Sequence, residues 1–294
     1  MQASHSNKRL KGKKLLKALK DGLPQLQLPQ VHGISKTTLY AASVLRNEQL
    51  NDLALEKVGS PPEWHQPEAL QFWIAPHPCG AMPVVMTSCW HDFTQLVRAL
   101  AHRAEPVTLK DGVHAQAVNG LIHWGLIKQF GRESRAQLIL LHEAPYGSVG
   151  AQHVPGDLDD QTWIECSTRL RLEHELTHLA TKRVLGEMRI NLLDELIADC
   201  MGMVASLGWF ASTLFGRCMG ISEHKQLGED NRWATYTRGL SPTDAETATT
   251  LVMMRSIELE NELKANSQLC MPDMAMERLR WLCRQRLDQP ISAP

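Results

Sequence analysis

The sequence predicts an α+β fold that is mainly helical, with a small sheet in the first half of the chain and helices in the second half. Three short apolar runs bounded by turn residues, at 71–75 (QFWIA), 82–86 (MPVVM) and 136–142 (AQLILLH), are typical of strands. Long stretches with helical spacing of apolar residues extend from residue 161 toward the C-terminus. The sequence contains no repeats and no GxGxxG, GxxxxGKS/T or GxSxG motif, which argues against the commoner nucleotide-binding and serine-hydrolase classes.

The composition is that of a globular protein large enough to bury a sizeable core. The chain has 294 residues, of which 43% are hydrophobic, and a formal net charge of −1. No run approaches the eighteen apolar residues of a membrane span, and no apolar stretch with a cleavage site follows the basic N-terminus. The seven cysteines are scattered and odd in number, which favours reduced thiols. We therefore expect a cytoplasmic protein without a transmembrane segment.

Residues 1–30 form a basic tail and linker that we expect to be disordered, apart from a short amphipathic helix through Leu15, Leu16 and Leu19. The only acidic residue of this segment is Asp21. Its basic residues are Lys8, Arg9, Lys11, Lys13, Lys14, Lys17 and Lys20. Such a run could bind an anionic partner weakly, a nucleic acid or a membrane surface. The absence of interleaved aromatic residues favours a solvated tail instead. Ordered structure is expected to begin near Ile34.

Two larger parts follow the tail. Residues 31–150 are predicted to be a mixed α/β part, with one or two helices in 35–58, a helix at 90–103, a second helix at 115–130, and the three strands. Residues 151–294 are predicted to be a helical, zinc-binding part, with helices at 161–185, 209–218, 242–265 and 273–287 and a polar loop at 223–239. Ser241, Pro242 and Asp244 form a strong helix start, because they supply an N-cap, a proline at the first helical position and an acid in the first turn.

The segment HELTH at residues 174–178 has the spacing of a zinc-binding helix. His174 and His178 are four residues apart, so a helix brings both imidazoles to one face, where they can bind one Zn²⁺. Glu175 points about 100° away from His174 on the helix. Its carboxylate can therefore act on a water beside the metal as a general base without being a ligand.

A second helix offers the remaining groups of a zinc site. An open site with a position for water needs a third protein ligand, and Glu195 is a good candidate. Asp199 lies one turn further along, where it can accept a hydrogen bond from a ligating histidine and fix its tautomer. Between the two helices, Gly186 suits a helix C-terminus and Asn191 suits an N-cap.

HELTH followed by DELIAD resembles the gluzincin metallopeptidases, the thermolysin-like group, over about 35 residues. The resemblance implies that His174, His178 and Glu195 are zinc ligands, that Glu175 is the base, and that Asp199 lies behind His174. The sixteen residues between His178 and Glu195 are slightly fewer than is usual in that group. The metzincin pattern does not fit, because Thr181 and Val184 stand where a glycine and a third histidine are required. The wider run also looks like that of an uncharacterised bacterial protein family.

The resemblance also implies an oxyanion donor and a strand that binds substrate. A histidine or tyrosine downstream of Glu195 would be the donor, and His224 and Tyr236 qualify, with Tyr236 favoured and Arg238 as a cationic alternative. In gluzincin-like folds an edge strand before the HExxH helix pairs with an extended substrate. Residues 136–142 are the candidate by position, and a buried central strand is the alternative.

The resulting prediction is a zincin-like helical half that carries a zinc-dependent, metallopeptidase-like hydrolase site. The expected substrate is a peptide or protein, whose amide bond is cleaved by zinc-activated water with a glutamate as general base. Two alternatives stay open. One is a metal-stabilised scaffold or regulatory protein without catalysis, and the other is a zinc hydrolase of a small non-peptide substrate.

Overall fold

The computed structural model describes residues 10–78, 80–110, 112–132, 136–186, 191–221 and 231–294. The chain forms two compact units, one from residues 1–109 and 113–143 and the other from residues 110–112 and 144–294. The sequence placed this division at residue 150. The fold is mainly helical with one small mixed sheet, which confirms the α+β prediction.

The first unit is built on a five-stranded sheet with the order β1-β2-β3-β5-β4. The strands are β1 (Leu10–Lys11), β2 (Gln71–Ala75), β3 (Met82–Thr87), β4 (Ala115–Leu121) and β5 (Ala136–His142). The helices of this unit are α1 (Gly12–Gly22), α2 (Thr38–Tyr40), α3 (Asp52–Glu56), α4 (Trp90–Leu100) and α5 (Trp124–Phe130). All three predicted strands are present, and β3 and β5 are parallel with Val84 opposite Ile139.

Strand β5 lies inside the sheet, so the prediction of a free edge at residues 136–142 is wrong. It pairs with β3 on one side and with β4 on the other. Both edges of its backbone are therefore occupied by neighbouring strands, and an extended substrate cannot add to it. The alternative interpretation, a buried central strand, is the one observed, and Ile139 and Leu140 are fully buried.

The segment predicted as a helix at 115–130 is instead strand β4 followed by the shorter helix α5. Gly120 has φ +66°, and the pairing with β5 is irregular between Val118 and Leu121. This bulge interrupts the alternation of side chains and obscures the strand pattern in the sequence. The His123 side chain then accepts a hydrogen bond from the Leu126 N–H and begins α5.

The basic segment also differs from the expectation, because residues 10–30 are ordered. Helix α1 buries Leu15 and Leu16 in the same core cluster as Phe93 and Leu140, and Gly12 donates a backbone hydrogen bond to Leu70. The apolar face of the predicted amphipathic helix is thus covered by the protein's own core. The weak anionic partner proposed for this tail stays a prediction.

The second unit is helical. Its helices are α6 (Asp160–Leu185), α7 (Leu192–Leu207), α8 (Ser212–Met219), α9 (Arg232–Thr237), α10 (Pro242–Ala265) and α11 (Ala275–Leu282). The polar segment at 223–239 was predicted as a loop, but its described end forms α9, which Asn231 caps. Helix α10 has the predicted bounds, and the Ser241 hydroxyl accepts a hydrogen bond from the Asp244 N–H.

Helices α6 and α7 are the structural centre of this unit. Asp159 caps α6 and Asn191 caps α7, while α6 ends at Gly186 with φ +77°, as the sequence predicted. The two helices pack closely where α7 carries Gly202. A Cβ atom on Gly202 would lie 2.7 Å from the carbonyl oxygen of Leu170, so only glycine permits this approach.

Among the described residues, no single helix is long and apolar enough to cross a membrane. Helices α7 and α8 pass that test of length and composition only as a pair, which is bent by 118°.

Candidate metal centre

His174 and His178 lie one turn apart on α6 with their Nε2 atoms facing each other. The two Nε2 atoms are 2.9 Å apart, and the rings are nearly perpendicular, at 87°. The exposed fractions of the two side chains are only 9% and 11%. The helical spacing seen in the sequence therefore brings both nitrogens to one point.

Each histidine is oriented through its other ring nitrogen by an aspartate of α7. His174 Nδ1 lies 2.8 Å from Asp199 Oδ1, and His178 Nδ1 lies 2.7 Å from Asp194 Oδ2. Both carboxylates are buried. When each Nδ1–H donates to its carboxylate, the Nε2 lone pairs are left for a metal ion. The sequence predicted this role for Asp199 but not for Asp194, although Asp194 is adjacent to Glu195.

Glu195 completes a set of three donors. Its Oε1 is 3.3 Å from His178 Nε2, and its Oε2 is 3.7 Å from His174 Nε2. The three ligand atoms lie within 4.8 Å of one another, and no other such group of three occurs in the described part of the chain. Donors about 2.0–2.2 Å from a tetrahedral Zn²⁺ are separated from each other by roughly 3.3 Å. The residues present therefore fit a zinc ion.

Arg232, the first residue of α9, contacts the predicted site and was not foreseen. Its guanidinium donates to Glu195 Oε2 through both Nε and Nη2, and to both oxygens of Asp199 at 2.9 and 3.0 Å. Nη2 is also 3.5 Å from His174 Nε2. The predicted cationic alternative, Arg238, is exposed at the end of the same helix.

Tyr146 is a second residue that sequence reasoning missed. Its hydroxyl donates to Asp199 Oδ1 at 2.5 Å, accepts from Arg232 Nη1 at 3.0 Å and lies 3.1 Å from His174 Nδ1. Burial raises the pKa of this phenol well above its usual value, so it stays protonated. The side chains of Arg171 and Arg232 each lie 5.6 Å from the centre of its ring.

The two carboxylates beside Arg232 stay ionised although they are buried. Burial acts to raise the pKa of Glu195 and of Asp199, but the Arg232 guanidinium and the histidines lower both pKa values by more. The net result is a pKa of Glu195 well below its usual value and a lowered pKa of Asp199. Glu195 is therefore ionised at neutral pH, as a carboxylate ligand of a metal ion must be.

Glu175 follows His174 on α6 and is half-buried. The negative charge of Glu175 acts to raise the pKa values of His178 and of the buried Arg171. The Arg171 guanidinium donates hydrogen bonds to the Ala144 and Pro145 carbonyls at 3.0 and 3.1 Å. Burial lowers the pKa of Arg171 to about 10, and the side chain stays positively charged at neutral pH. The base proposed from the sequence is thus beside the donor set without belonging to it.

Of the two oxyanion donors suggested by the sequence, the structure brings Tyr236 to the site. Tyr236 is one turn after Arg232 on α9. Burial, followed by the charge of the neighbouring Glu195 carboxylate and a hydrogen bond to it, raises the pKa of the Tyr236 phenol far above its usual value. The other donor, His224, lies outside the described residues.

A family model with the description "Family of unknown function (DUF7005)" matches residues 4–137 and 131–292 of this chain. No curated protein and no solved structure matches the chain. The gluzincin likeness therefore stays a resemblance of motifs. Because the two matched segments span nearly the whole sequence, the chain belongs to this family of unknown function, DUF7005.

Proposed function

We propose that this protein is a zinc-dependent, metallopeptidase-like hydrolase that cleaves an amide or peptide bond. The observation that carries the proposal is the convergence of His174, His178 and Glu195, with an aspartate on the far nitrogen of each histidine. Three ligands with a position left for water are typical of catalytic zinc sites, whereas structural sites are closed by four.

The residues of the chain have separate roles in this proposal. A zinc ion held by His174, His178 and Glu195 would act as a Lewis acid and lower the pKa of a bound water toward neutrality. Glu175 would accept a proton from the attacking water and return it to the leaving amine. The protonated Tyr236 would move its hydrogen bond from the Glu195 carboxylate to the developing oxyanion.

A surface cavity next to Tyr236 supports a substrate with an apolar side chain. The cavity has a volume of about 450 Å³ and is lined by Asn191, Leu192, Leu193, Thr235, Tyr236 and Leu287. Leu192 and Leu193 are in the first turn of α7, immediately before Asp194 and Glu195. A substrate whose scissile bond lies at the metal would then place an apolar side chain in this cavity.

A second candidate function is that of a scaffold in which the same residues only hold α6 to α7. One observation favours it: Arg232 and Tyr146 already join Asp199 and Glu195 in a buried, hydrogen-bonded cluster. Such a network can fix the packing of two helices without any catalytic role.

Replacing the base and replacing a ligand distinguish the two functions. We expect Glu175→Gln to keep the zinc and the fold but to lower turnover by about a hundredfold or more, since a general base acts mainly in the transition state. His178→Ala should lose zinc and activity together. Glu165→Gln makes the same chemical change at an exposed position of α6 and is the matched control.

The assay is digestion of an unbiased peptide library by purified protein, with and without chelator, with zinc content measured in parallel. Cleavage that needs both zinc and Glu175 supports the hydrolase. If Glu175→Gln complements a deletion host fully while His178→Ala does not, the hydrolase proposal is wrong and the scaffold is favoured. A wild-type protein without zinc after growth in zinc-replete medium would refute any metal-dependent function.

A further inference from the structure

Every N–H group of the Arg232 guanidinium is committed to the candidate metal centre. Nε donates to Glu195 Oε2, and Nη2 donates to Glu195 Oε2 and Asp199 Oδ1. Nη1 donates to Asp199 Oδ2 and to the Tyr146 hydroxyl. An arginine has five donors, so none is left for a substrate carboxylate or an oxyanion. Arg232 therefore acts through the residues around it and is not a substrate-binding group.

The position of this cation matters because it is close to the ligand atoms. Arg232 Nη2 lies 3.5 Å from His174 Nε2. Both hydrogen bonds from Arg232 to Glu195 are accepted by the same oxygen, Oε2. Glu195 Oε1, on the side of His178 Nε2 at 3.3 Å, accepts neither of them. Glu195 can thus offer Oε1 to a metal while Oε2 stays on Arg232. The guanidinium and the metal ion would then share one carboxylate and repel each other.

We propose that Arg232 is a built-in counter-cation that keeps the centre assembled before metal binds and makes metal binding weaker and reversible. Glu195 and Asp199 are 4% and 0% exposed, and two buried carboxylates need positive charge to stay ionised. Arg232, which contacts both carboxylates, supplies part of it in the metal-free protein. This inference rests on the metal site of the proposed function and does not depend on hydrolysis.

Removing the charge of Arg232 has two opposing effects on metal affinity. The carboxylates are no longer held in place by Arg232, which weakens metal binding. A cation that repels the metal ion is also removed, which strengthens metal binding. Orientation is largely secured by other groups: Asp199 is also held by Tyr146 and His174, and both carboxylates are on the buried helix α7. The charge effect should therefore dominate, and zinc should bind more tightly without Arg232.

The test compares Arg232→Gln, Arg232→Lys and the exposed control Arg238→Gln. For each protein, the thermal midpoint is measured with chelator and with saturating zinc, and the zinc Kd is measured by competition with a chromophoric chelator. We expect Arg232→Gln to lower the midpoint of the metal-free protein, to enlarge the rise caused by zinc, and to tighten zinc binding by about tenfold or more. Arg232→Lys keeps the charge and should have a Kd near that of the wild type. Arg238→Gln should change neither quantity.

The outcomes distinguish a counter-cation from an ordinary structural role for Arg232. An Arg232→Gln protein that is unfolded with chelator and folds on addition of zinc supports the inference, because metal has then replaced the missing cation. Weaker zinc binding by Arg232→Gln, equal falls of both midpoints, or failure to fold with zinc would overturn it and leave Arg232 as an ordinary structural residue. Absence of zinc binding in the wild type would instead refute the proposed metal site itself.

Discussion

Asp199→Asn tests whether the centre is one coupled cluster, because it preserves the shape of the side chain, removes its charge and replaces one acceptor oxygen with an NH₂ group. The carboxylate is fully buried. It accepts hydrogen bonds from Tyr146 and His174, and two from Arg232. An asparagine amide would place an NH₂ group against at least one of these donors. Arg232 would also lose one of its two buried anionic partners.

The expected cost is about 3–5 kcal/mol of the free energy of unfolding, the usual loss when one partner of a buried ion pair is removed. A domain the size of residues 144–294 shifts its thermal midpoint by roughly 2–4 °C per kcal/mol, so the midpoint should fall by about 6–20 °C. The size of this loss depends on pH. Because the folded pKa of Asp199 is lowered, its stabilising effect is present above the ordinary carboxyl pKa and is lost as the pH falls through the folded pKa.

The assays are urea unfolding for the free energy and thermal unfolding for the midpoint, both followed by circular dichroism at neutral pH with chelator present. Asp288→Asn is the matched control, because that carboxylate is exposed and pairs with Arg286 at the surface. It should leave the midpoint unchanged. A loss below about 1 kcal/mol for Asp199→Asn would refute the reasoning, since it would mean that the hydrogen bonds around Asp199 contribute no more than surface contacts.

Three further predictions concern the same centre. Glu195→Ala should weaken zinc binding more than Asp194→Ala, measured as zinc retained after dialysis, because loss of a ligand exceeds the roughly 10- to 100-fold effect of losing an orienting carboxylate; the reverse order would mean that the third ligand is misassigned. Tyr236→Phe should lower turnover without changing zinc content, and unchanged turnover on a cleaved substrate would exclude it as the oxyanion donor. In metal-free protein, burial acts to lower the pKa of His178, but hydrogen bonds to Asp194 and Glu195 raise it to about 10. The stabilisation by His178 should thus be complete below its ordinary pKa near 6.5 and decline as the pH rises through about 10, as thermal midpoints with chelator would show; a midpoint independent of pH across that range would contradict it.

Local rules were enough to predict the helices that carry the ligands. The caps at Asn191 and Ser241 and the end of α6 at Gly186 depend on neighbouring residues only, and all three are present as predicted. The i, i+4 spacing of His174 and His178 likewise fixes their geometry on one helix. These features can be read from a sequence because no distant contact is needed to form them.

The contacts made by Tyr146 and Arg232 could not be predicted in this way. The two residues are separated by 86 positions in the chain, and Arg232 is 37 positions from Glu195. No motif spacing links them, and only the packing of the helices brings them together. Strand β4 was misassigned for a related reason, since its pairing with β5 outweighs the helical spacing of its apolar residues.

Gly202 allows α6 and α7 to pack closely near the candidate metal ligands. It lies three residues after Asp199, and its contact Leu170 lies four residues before His174, so this close contact is about one turn from the site residues. A methyl group at residue 202 would push the helices apart and lengthen the distances between histidine and carboxylate donors. Zinc prefers donors at about 2.0–2.2 Å and calcium at about 2.3–2.6 Å, so a few tenths of an ångström separate ions of different size. If the proposed zinc site is correct, we expect the missing side chain at residue 202 to favour a small ion over a larger one.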